Sequence, residues 1–365
     1  MTKKILTIVG TRPQFIKTAL VSKLLRKSTK ITEVLVHTGQ HYDDNLSKIF
    51  FREMELPEPD YNLNTGSGSH GEQTGAMLIM LEKVIMKEKP ALVLVYGDTN
   101  STLAGALATV KLGIPLVHVE AGPRSFNRLM PEEINRITTD HLSSLLFAPT
   151  AQSALNLYRE GIPAARVFYT GDVMYDTFLH YSPRAEQSNI LERLGIKKKH
   201  YVLVTIHRAE NTDNNMCLRY IADALKELSP KFPVIAALHP RTQAALAINE
   251  IQLEGNIWTI SPPGYLDMNK LEKNARLIIT DSGGVQREAF FHRVPCITLR
   301  AETEWPETVK CGWTRLLSPG PDLGALLKKE VYCPEQGSPV SGMFFGYGKA
   351  VPRIVKRLDE YISGK

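Results

Sequence analysis

The chain has 365 residues, 43% of them apolar and 22% charged, with a formal net charge of +6. That length exceeds one ordinary domain, and the apolar share excludes a disordered chain. The modest positive excess, without an arginine-rich run or an interleaved aromatic-basic stripe, argues against a nucleic-acid partner and suits a small anionic ligand.

In chain order, short apolar runs predict strands at Ile5–Val9, Glu33–His37, Ala91–Tyr96, Pro115–Glu120, Leu145–Ala148 and Val167–Thr170. Helical stretches fall between them at Gln14–Arg26, Glu72–Lys87, Thr102–Leu112, Glu132–Ser144 and Ala151–Glu160. The rhythm repeats with strands at Tyr201–Ile206, Val234–Leu238, Ile257–Ser261, Leu277–Thr280, Cys296–Leu299 and Thr314–Leu317. Strands alternating with helices of this length imply parallel sheets built by crossovers. The expected fold is therefore α/β, with two doubly wound, Rossmann-like domains facing each other across a cleft. Residues 1–170 form the first and 171–349 the second. The interruption at Gly171–Arg184 serves as linker, and an amphipathic helix over 350–365 packs on one of the lobes. Four dispersed cysteines show no C-x-x-C pair, which disfavours a disulfide framework or a zinc site. No apolar run approaches membrane-spanning length, and Ile5–Val9 is too short for a signal-peptide core. The expectation is a cytoplasmic protein with no membrane partner.

Gly10-Thr11-Arg12-Pro13-Gln14-Phe15-Ile16-Lys17 joins a strand to a helix and places two cations, Arg12 and Lys17, near the strand end. Asp98 in Gly97-Asp98-Thr99 and Glu120 in Val119-Glu120-Ala121 stand where buried strands leave the sheet, where open parallel sheets bind ligands. Asp98 equally suits a helix cap. Glu132 and Arg136 lie four apart on one helix and are able to pair. His207, beside Arg208, and His239 close two later strands, where an imidazole meets a phosphate or simply supports the fold. Asp281-Ser282-Gly283-Gly284-Val285-Gln286-Arg287-Glu288 is the sharpest signal. Its small residues open backbone N–H groups of a helix start to a phosphate, and Glu288 suits ribose hydroxyls; a plain capping turn is the alternative. Gly66-Ser67-Gly68-Ser69-His70-Gly71 matches G-x-G-x-x-G but lacks an apolar strand before it, so it reads as a loop near the cleft. There is no P-loop and no Asp-x-Asp pair, and no second histidine stands at metal-ligand spacing to His207 or His239, so neither metal nor cofactor is expected.

Together, Gly10–Lys17, Gly97–Thr99, His118–Gly122, Pro131–Arg136, His207–Asn211, Asp281–Glu288 and Thr303-Glu304-Trp305-Pro306-Glu307 closely resemble the non-hydrolysing UDP-N-acetylglucosamine 2-epimerases, in order and over nearly the whole chain. The resemblance implies the glycosyltransferase-B architecture, with UDP held mainly by the second domain and the final helix crossing back to the first. It matches Asp98, Glu120 and Glu132 to catalytic carboxylates and His207 to the active-site histidine. Arg12, Lys17, Arg136, Arg208 and His239 correspond to substrate-binding groups, Ser282, Gly283 and Gly284 to the diphosphate turn, and Glu288 to the ribose acid. Gln40 and His41 match a loop that in some members contacts a second, activating UDP-sugar. The partner so implied is a UDP-2-acetamido sugar, bound by a homodimer that makes surface-polysaccharide precursors. Trp305 stands where the family commonly has arginine, and Gln14 and His70–Gln73 also depart from its pattern. These departures resemble the branch acting on UDP-2,3-diacetamido-2,3-dideoxy-glucuronate, which adds a carboxylate that Arg124, Arg128 or Arg208 would meet. A glycosyltransferase of the same architecture is the more distant reading.

Overall fold

The computed structural model describes residues 2–40, 44–333, 337 and 344–364. The chain divides into two compact units, Met1–His180 with Gly342–Lys365, and Tyr181–Ser341.

The first unit is built on a seven-stranded sheet of β1 (Lys3–Val9), β2 (Ile31–His37), β3 (Tyr61–Asn62), β4 (Leu92–Tyr96), β5 (Leu116–Val119), β6 (Leu145–Ala148) and β7 (Val167–Tyr169). The spatial order is β3-β2-β1-β4-β5-β6-β7, with every pairing parallel. Its inner strands are largely apolar because helices cover both faces. On one face Ile5, Leu92, Leu94 and Val117 pack with Val21 and Leu25; on the other Leu6, Ile8, Val93 and Val95 pack with Met77 and Leu81. The helix Ala350–Ser363 joins the first of these cores through Val351, Ile354, Leu358 and Ile362, and the N–H of Val351 donates to Asp176 at 2.8 Å.

The second unit has six parallel strands: β8 (Val202–Thr205), β9 (Val234–Ala237), β10 (Ile257–Ile260), β11 (Leu277–Thr280), β12 (Cys296–Thr298) and β13 (Thr314–Leu316), in the order β10-β9-β8-β11-β12-β13. Both sheets are thus doubly wound, as expected. Each reverses strand order at one point, between β1 and β4 and between β8 and β11. Chains leave the sheet in opposite directions there and open a crevice at the carboxyl ends of the strands. Those ends carry Gly10–Lys17 and Gly97-Asp98 in one unit, and His207-Arg208 and Asp281–Gly284 in the other.

The stretch 171–184 is helical rather than irregular, over Val173–Ala185, and the division between units falls inside it. Pro183 sits in its last turn, where a proline breaks little of the hydrogen-bond ladder.

Candidate active site

In the first unit, Gln14 builds the β1 turn. Its Oε1 accepts from the N–H groups of Gly10 (2.8 Å) and Thr11 (3.2 Å), and its Nε2 donates to the Tyr96 carbonyl (2.9 Å) and the Thr102 hydroxyl (3.0 Å). One buried amide therefore ties the ends of β1 and β4 together, a task needing both donor and acceptor. Phe15 stacks on His37 with ring centroids 5.2 Å apart, and the Arg12 guanidinium lies 5.1 Å from the centre of the Phe50 ring.

One turn into the same helix, buried Lys17 places its ammonium 2.7 Å from Oε1 of buried Glu120. Glu120 has φ 70°, a left-handed conformation that few non-glycine residues adopt. Gly97 lies beside this pair. With φ 63°, a Cβ there would fall 2.8 Å from Lys17 Nζ and 3.8 Å from Glu120 Oε1, so only glycine fits.

Arg136 bridges two further acids. It donates to Asp98 through one terminal nitrogen and to Glu133 through the other, the latter at 2.5 Å. Glu133 also accepts from the N–H of Ser125 (2.9 Å), the Ser125 hydroxyl (3.0 Å) and the N–H of Phe126 (2.9 Å). The pairing of Glu132 with Arg136 expected from their spacing is not formed. Loop amides draw Glu133 inward, and that residue and Asp98 occupy both arms of the guanidinium. Glu132 remains half-buried on the first helical turn with no side-chain partner among the described residues.

Below these loops, the His118 ring nitrogens lie 2.7 Å from Asp140 Oδ1 and 2.7 Å from the Gly97 carbonyl. Asp140 also takes the N–H of Gly122 (3.1 Å) and the Arg124 guanidinium (2.7 Å). Burial pushes the Asp140 carboxyl up, but His118 and Arg124 outweigh it and hold the group below the usual carboxylate range. Arg124 further grips Glu160 through two bonds of 2.7 Å, so this arginine is committed within the fold rather than left to a substrate carboxylate.

Gln40 accepts from the N–H (3.1 Å) and hydroxyl (2.7 Å) of Ser101; His41 lies outside the described residues. The Gly66–Gly71 stretch leads from the two-residue β3 into the helix His70–Glu88, where Ser69 and Glu72 form a capping box. Asn100 donates to His70 (3.1 Å) and Gln73 (3.0 Å) and accepts from Asn135 (3.2 Å), which also donates to the Asp98 carbonyl (2.9 Å).

In the second unit, Asp281 organises the β8 turn. Fully buried, it accepts from the N–H groups of His207 (3.1 Å) and Arg208 (3.0 Å) and from Asn211 Nδ2 (3.0 Å), with His207 Nδ1 at 3.2 Å. Burial alone would raise its pKa, but the His207 imidazole and these donors hold it at about 2. The next residue, Ser282, caps the helix Gly283–His292 through its hydroxyl, which accepts from the N–H of Val285 at 3.4 Å. A Cβ on Gly283 would lie 3.1 Å from Trp305 Nε1 and 3.7 Å from Glu304 Oε2. Trp305 carries the Arg287 guanidinium on its ring face at 3.8 Å, and Glu304 takes two bonds from Arg300 (2.7 and 3.0 Å) with Arg208 at 3.7 Å. His239 caps the helix Pro240–Ile248, its Nδ1 accepting from the N–H of Arg241 at 3.2 Å, and its ring centroid lies 6.5 Å from that of His207. Glu288 is buried on the helix Gly283–His292.

A protein-family model described as UDP-N-acetylglucosamine 2-epimerase matches residues 23–359. The chain belongs to this family. A Methanococcus maripaludis protein named UDP-N-acetylglucosamine 2-epimerase homolog is 51% identical to it over 364 residues, covering 97% of this chain and 99% of the relative. The UDP-2,3-diacetamido-2,3-dideoxy-D-glucuronate 2-epimerase of Pseudomonas aeruginosa is 46% identical over 359 residues, again 97% and 99%. The crystal structure of Methanocaldococcus jannaschii UDP-GlcNAc 2-epimerase in complex with UDP-GlcNAc and UDP superposes with a TM-score of 0.92 at 46% identity, covering 98% of this chain and 99% of that one. Membership in the epimerase family makes the chain an isomerase.

Within this epimerase, Arg12, Lys17, Asp98, Glu120, Glu132 and Arg136 share the carboxyl-end loops of one sheet and the helix beside them. His207, Arg208, His239, Ser282, Gly283, Gly284 and Glu288 share those of the other. Sequence reasoning marks Glu132-Glu133 as one acidic site and gives the role to Glu132; that Glu133 is the one bound to Arg136 and the loop amides is not read from the pattern. Among the described residues no cluster of His, Cys, Asp and Glu is able to hold a metal, and no helix is long and apolar enough to cross a membrane.

Proposed function

We propose that the chain inverts C2 of UDP-N-acetylglucosamine by eliminating and re-adding UDP through a 2-acetamidoglucal, giving UDP-N-acetylmannosamine. The observation that carries this reading is the buried Lys17–Glu120 pair at a left-handed backbone position, beside Asp98 and Arg136 at the neighbouring strand end. The C2–H bond is barely acidic, because no carbonyl adjoins it. Breaking the C1–O bond first lets UDP leave with the electron pair, and positive charge at C1 then acidifies that proton. Asp98 stabilises the developing charge. Glu120, held as the carboxylate by Lys17, removes the C2 proton and leaves a C1=C2 double bond. Glu132 returns a proton to C2 on the opposite face as a β-phosphate oxygen re-forms the bond to C1. Departing charge on the diphosphate falls to His207, Arg208 and the Ser282–Gly284 amides, with Glu288 on the ribose. A homodimer and a role in surface-polysaccharide precursor synthesis rest on the family resemblance, and a cytoplasmic location on the sequence pattern alone.

The test is a proton NMR time course with UDP-N-acetylglucosamine in D2O. Deuterium should appear at C2 of the product; product keeping its original C2 proton would rule the mechanism out.

The Pseudomonas aeruginosa relative supports a second substrate, UDP-2,3-diacetamido-2,3-dideoxy-glucuronate. Two observations favour the first. Gln14 is consumed in fixing the β1–β4 turn, so its departure from the family pattern is structural. Of the three arginines available for a sugar carboxylate, Arg124 is already bound to Asp140 and Glu160. Comparing kcat/KM for the two sugars decides between them, because a site built round a charged group rejects its uncharged analogue strongly.

A further inference from the structure

In the first unit, β5 is apolar except at His118, whose ring is fully buried. Its Nε2 lies 2.7 Å from the Gly97 carbonyl oxygen and its Nδ1 2.7 Å from Asp140 Oδ1. A carbonyl oxygen only accepts, so Nε2 carries a proton. Asp140 is fully buried on the helix Pro131–Leu142, and its other oxygen takes the N–H of Gly122 (3.1 Å) and the Arg124 guanidinium (2.7 Å). A carboxyl met by those donors is ionised and accepts through Oδ1 as well, so Nδ1 faces an acceptor too. Neutral imidazole has a single N–H, whereas this ring meets two acceptors, both at the distance of a charge-assisted bond. A cation here also has its counter-charges. His118 and Arg124 stand against Asp140 and Glu160, with half-exposed His141 at the outer end, 3.5 Å from Glu160.

We propose that His118 is a doubly protonated positioning residue for Asp98, acting through the carbonyl of Gly97. This rests on the role given to Asp98 above. Gly97 has φ 63° in a space that admits no side chain, so the turn needs the residue with the freest backbone. The His118 ring removes that freedom. With the N–H of Gly97 donating to the Val119 carbonyl at 3.0 Å, both of its backbone polar groups are tied to β5. The peptide joining Gly97 to Asp98 is planar, so pinning its carbonyl sets the direction in which the chain enters Asp98. Beyond it, Asn135 donates to the Asp98 carbonyl at 2.9 Å. Asp98 is thus presented from a backbone held on both sides. Since both N–H groups of His118 are spent on fixed acceptors, the ring orients the site without exchanging a proton with the sugar.

The test compares His118→Leu, which has no donor, with Asp140→Asn, which keeps every bond in neutral form. In the asparagine variant the amide nitrogen donates to an unprotonated Nδ1, the amide oxygen accepts from Gly122 and Arg124, and Nε2–H stays on Gly97. His118→Leu should lower kcat roughly 10²-fold, because Asp98 is no longer aimed, while the dissociation constant for UDP stays within about threefold. Asp140→Asn should lower kcat by less than about tenfold. In an Asp98→Asn background, His118→Leu should cost less than about threefold more, since the two residues act as one unit. Nitrogen NMR of the isotopically labelled wild type at neutral pH should show a histidine with both ring nitrogens protonated, and Asp140→Asn should strip the proton from its Nδ1. That readout is available even if the leucine variant does not fold. No doubly protonated histidine that responds to Asp140→Asn, near-normal kcat in His118→Leu, or full additivity with Asp98→Asn overturns the proposal. Asp98→Asn alone separates the two readings. If it turns over as the wild type does, the role of Asp98 fails, whereas the nitrogen spectrum stands or falls with His118.

Discussion

Replacing Asp281 by asparagine removes the charge around which the β8 turn is organised, and the cost can be worked from the structure. The fully buried carboxylate is held at about 2 against an ordinary 3.8 by His207, the Arg208 N–H and Asn211. At about 1.4 kcal/mol for each tenfold change in proton affinity, that depression contributes roughly 2 kcal/mol of stability at neutral pH. Because the folded-state pKa is lowered, the contribution is full above the unfolded value and disappears as pH falls through the folded one. Asp281→Asn should therefore unfold at lower urea than the wild type at pH ~7, by about 2 kcal/mol, and the gap should close between roughly pH 4 and pH 1. Denaturation followed by circular dichroism at several pH values measures it. The same variant loosens His207 and Arg208, so its KM for the UDP-sugar should rise. Equal stability at neutral pH, or a deficit that stays constant into acid, would refute the account of what holds this turn.

Asp98→Asn, Glu120→Gln and Glu132→Gln should each lower kcat by on the order of 10²-fold or more while leaving the dissociation constant for UDP nearly unchanged; near-normal kcat in all three would show the site is misplaced. Lys17→Met leaves Glu120 as a buried acid without its ammonium and should cost about 3–5 kcal/mol in urea unfolding, together with most of the activity. Gly97→Ala forces a side chain into a left-handed position against Lys17 Nζ, so a stability loss of at least roughly 1–2 kcal/mol with reduced kcat is expected, and a wild-type melting curve would contradict it. Turnover in excess EDTA should match turnover without it, and activity that returns only on adding a divalent ion would overturn the metal-free scheme.

The inner strands of both sheets were legible because they are compact apolar runs buried on both faces, as Leu277–Thr280 and Leu145–Ala148 show at full length. β3 carries no such run: two polar-flanked residues pair with the end of β2, and only the tertiary context makes them a strand. The helix Val173–Ala185 was hidden by Gly171-Asp172 before it and Pro183 within it, although neither lies where it interrupts the ladder badly. At the site, strand-end acids and cations could be read from position alone. Their partners could not. Arg136 lies one residue nearer to Glu133 than to Glu132, yet loop amides from Ser125 and Phe126 decide which acid turns inward. The commitment of Arg124 likewise depends on neighbours 16 or more positions away, Asp140 and Glu160, beyond any local pattern.

The helix Ala350–Ser363 belongs to the first unit but follows the whole second unit in the chain. During synthesis at roughly 5–20 residues per second, Tyr181–Ser341 takes on the order of 10–30 s to emerge. Throughout that interval Val21, Leu25 and their neighbours lack the apolar cover that Ile354, Leu358 and Ile362 later provide. The unit begun first is thus finished last, and its newborn form carries a greasy stripe that chaperones are suited to shield. A chain stopped at residue 349 would keep that stripe for good, and should light up a hydrophobic dye to which the full chain is dark.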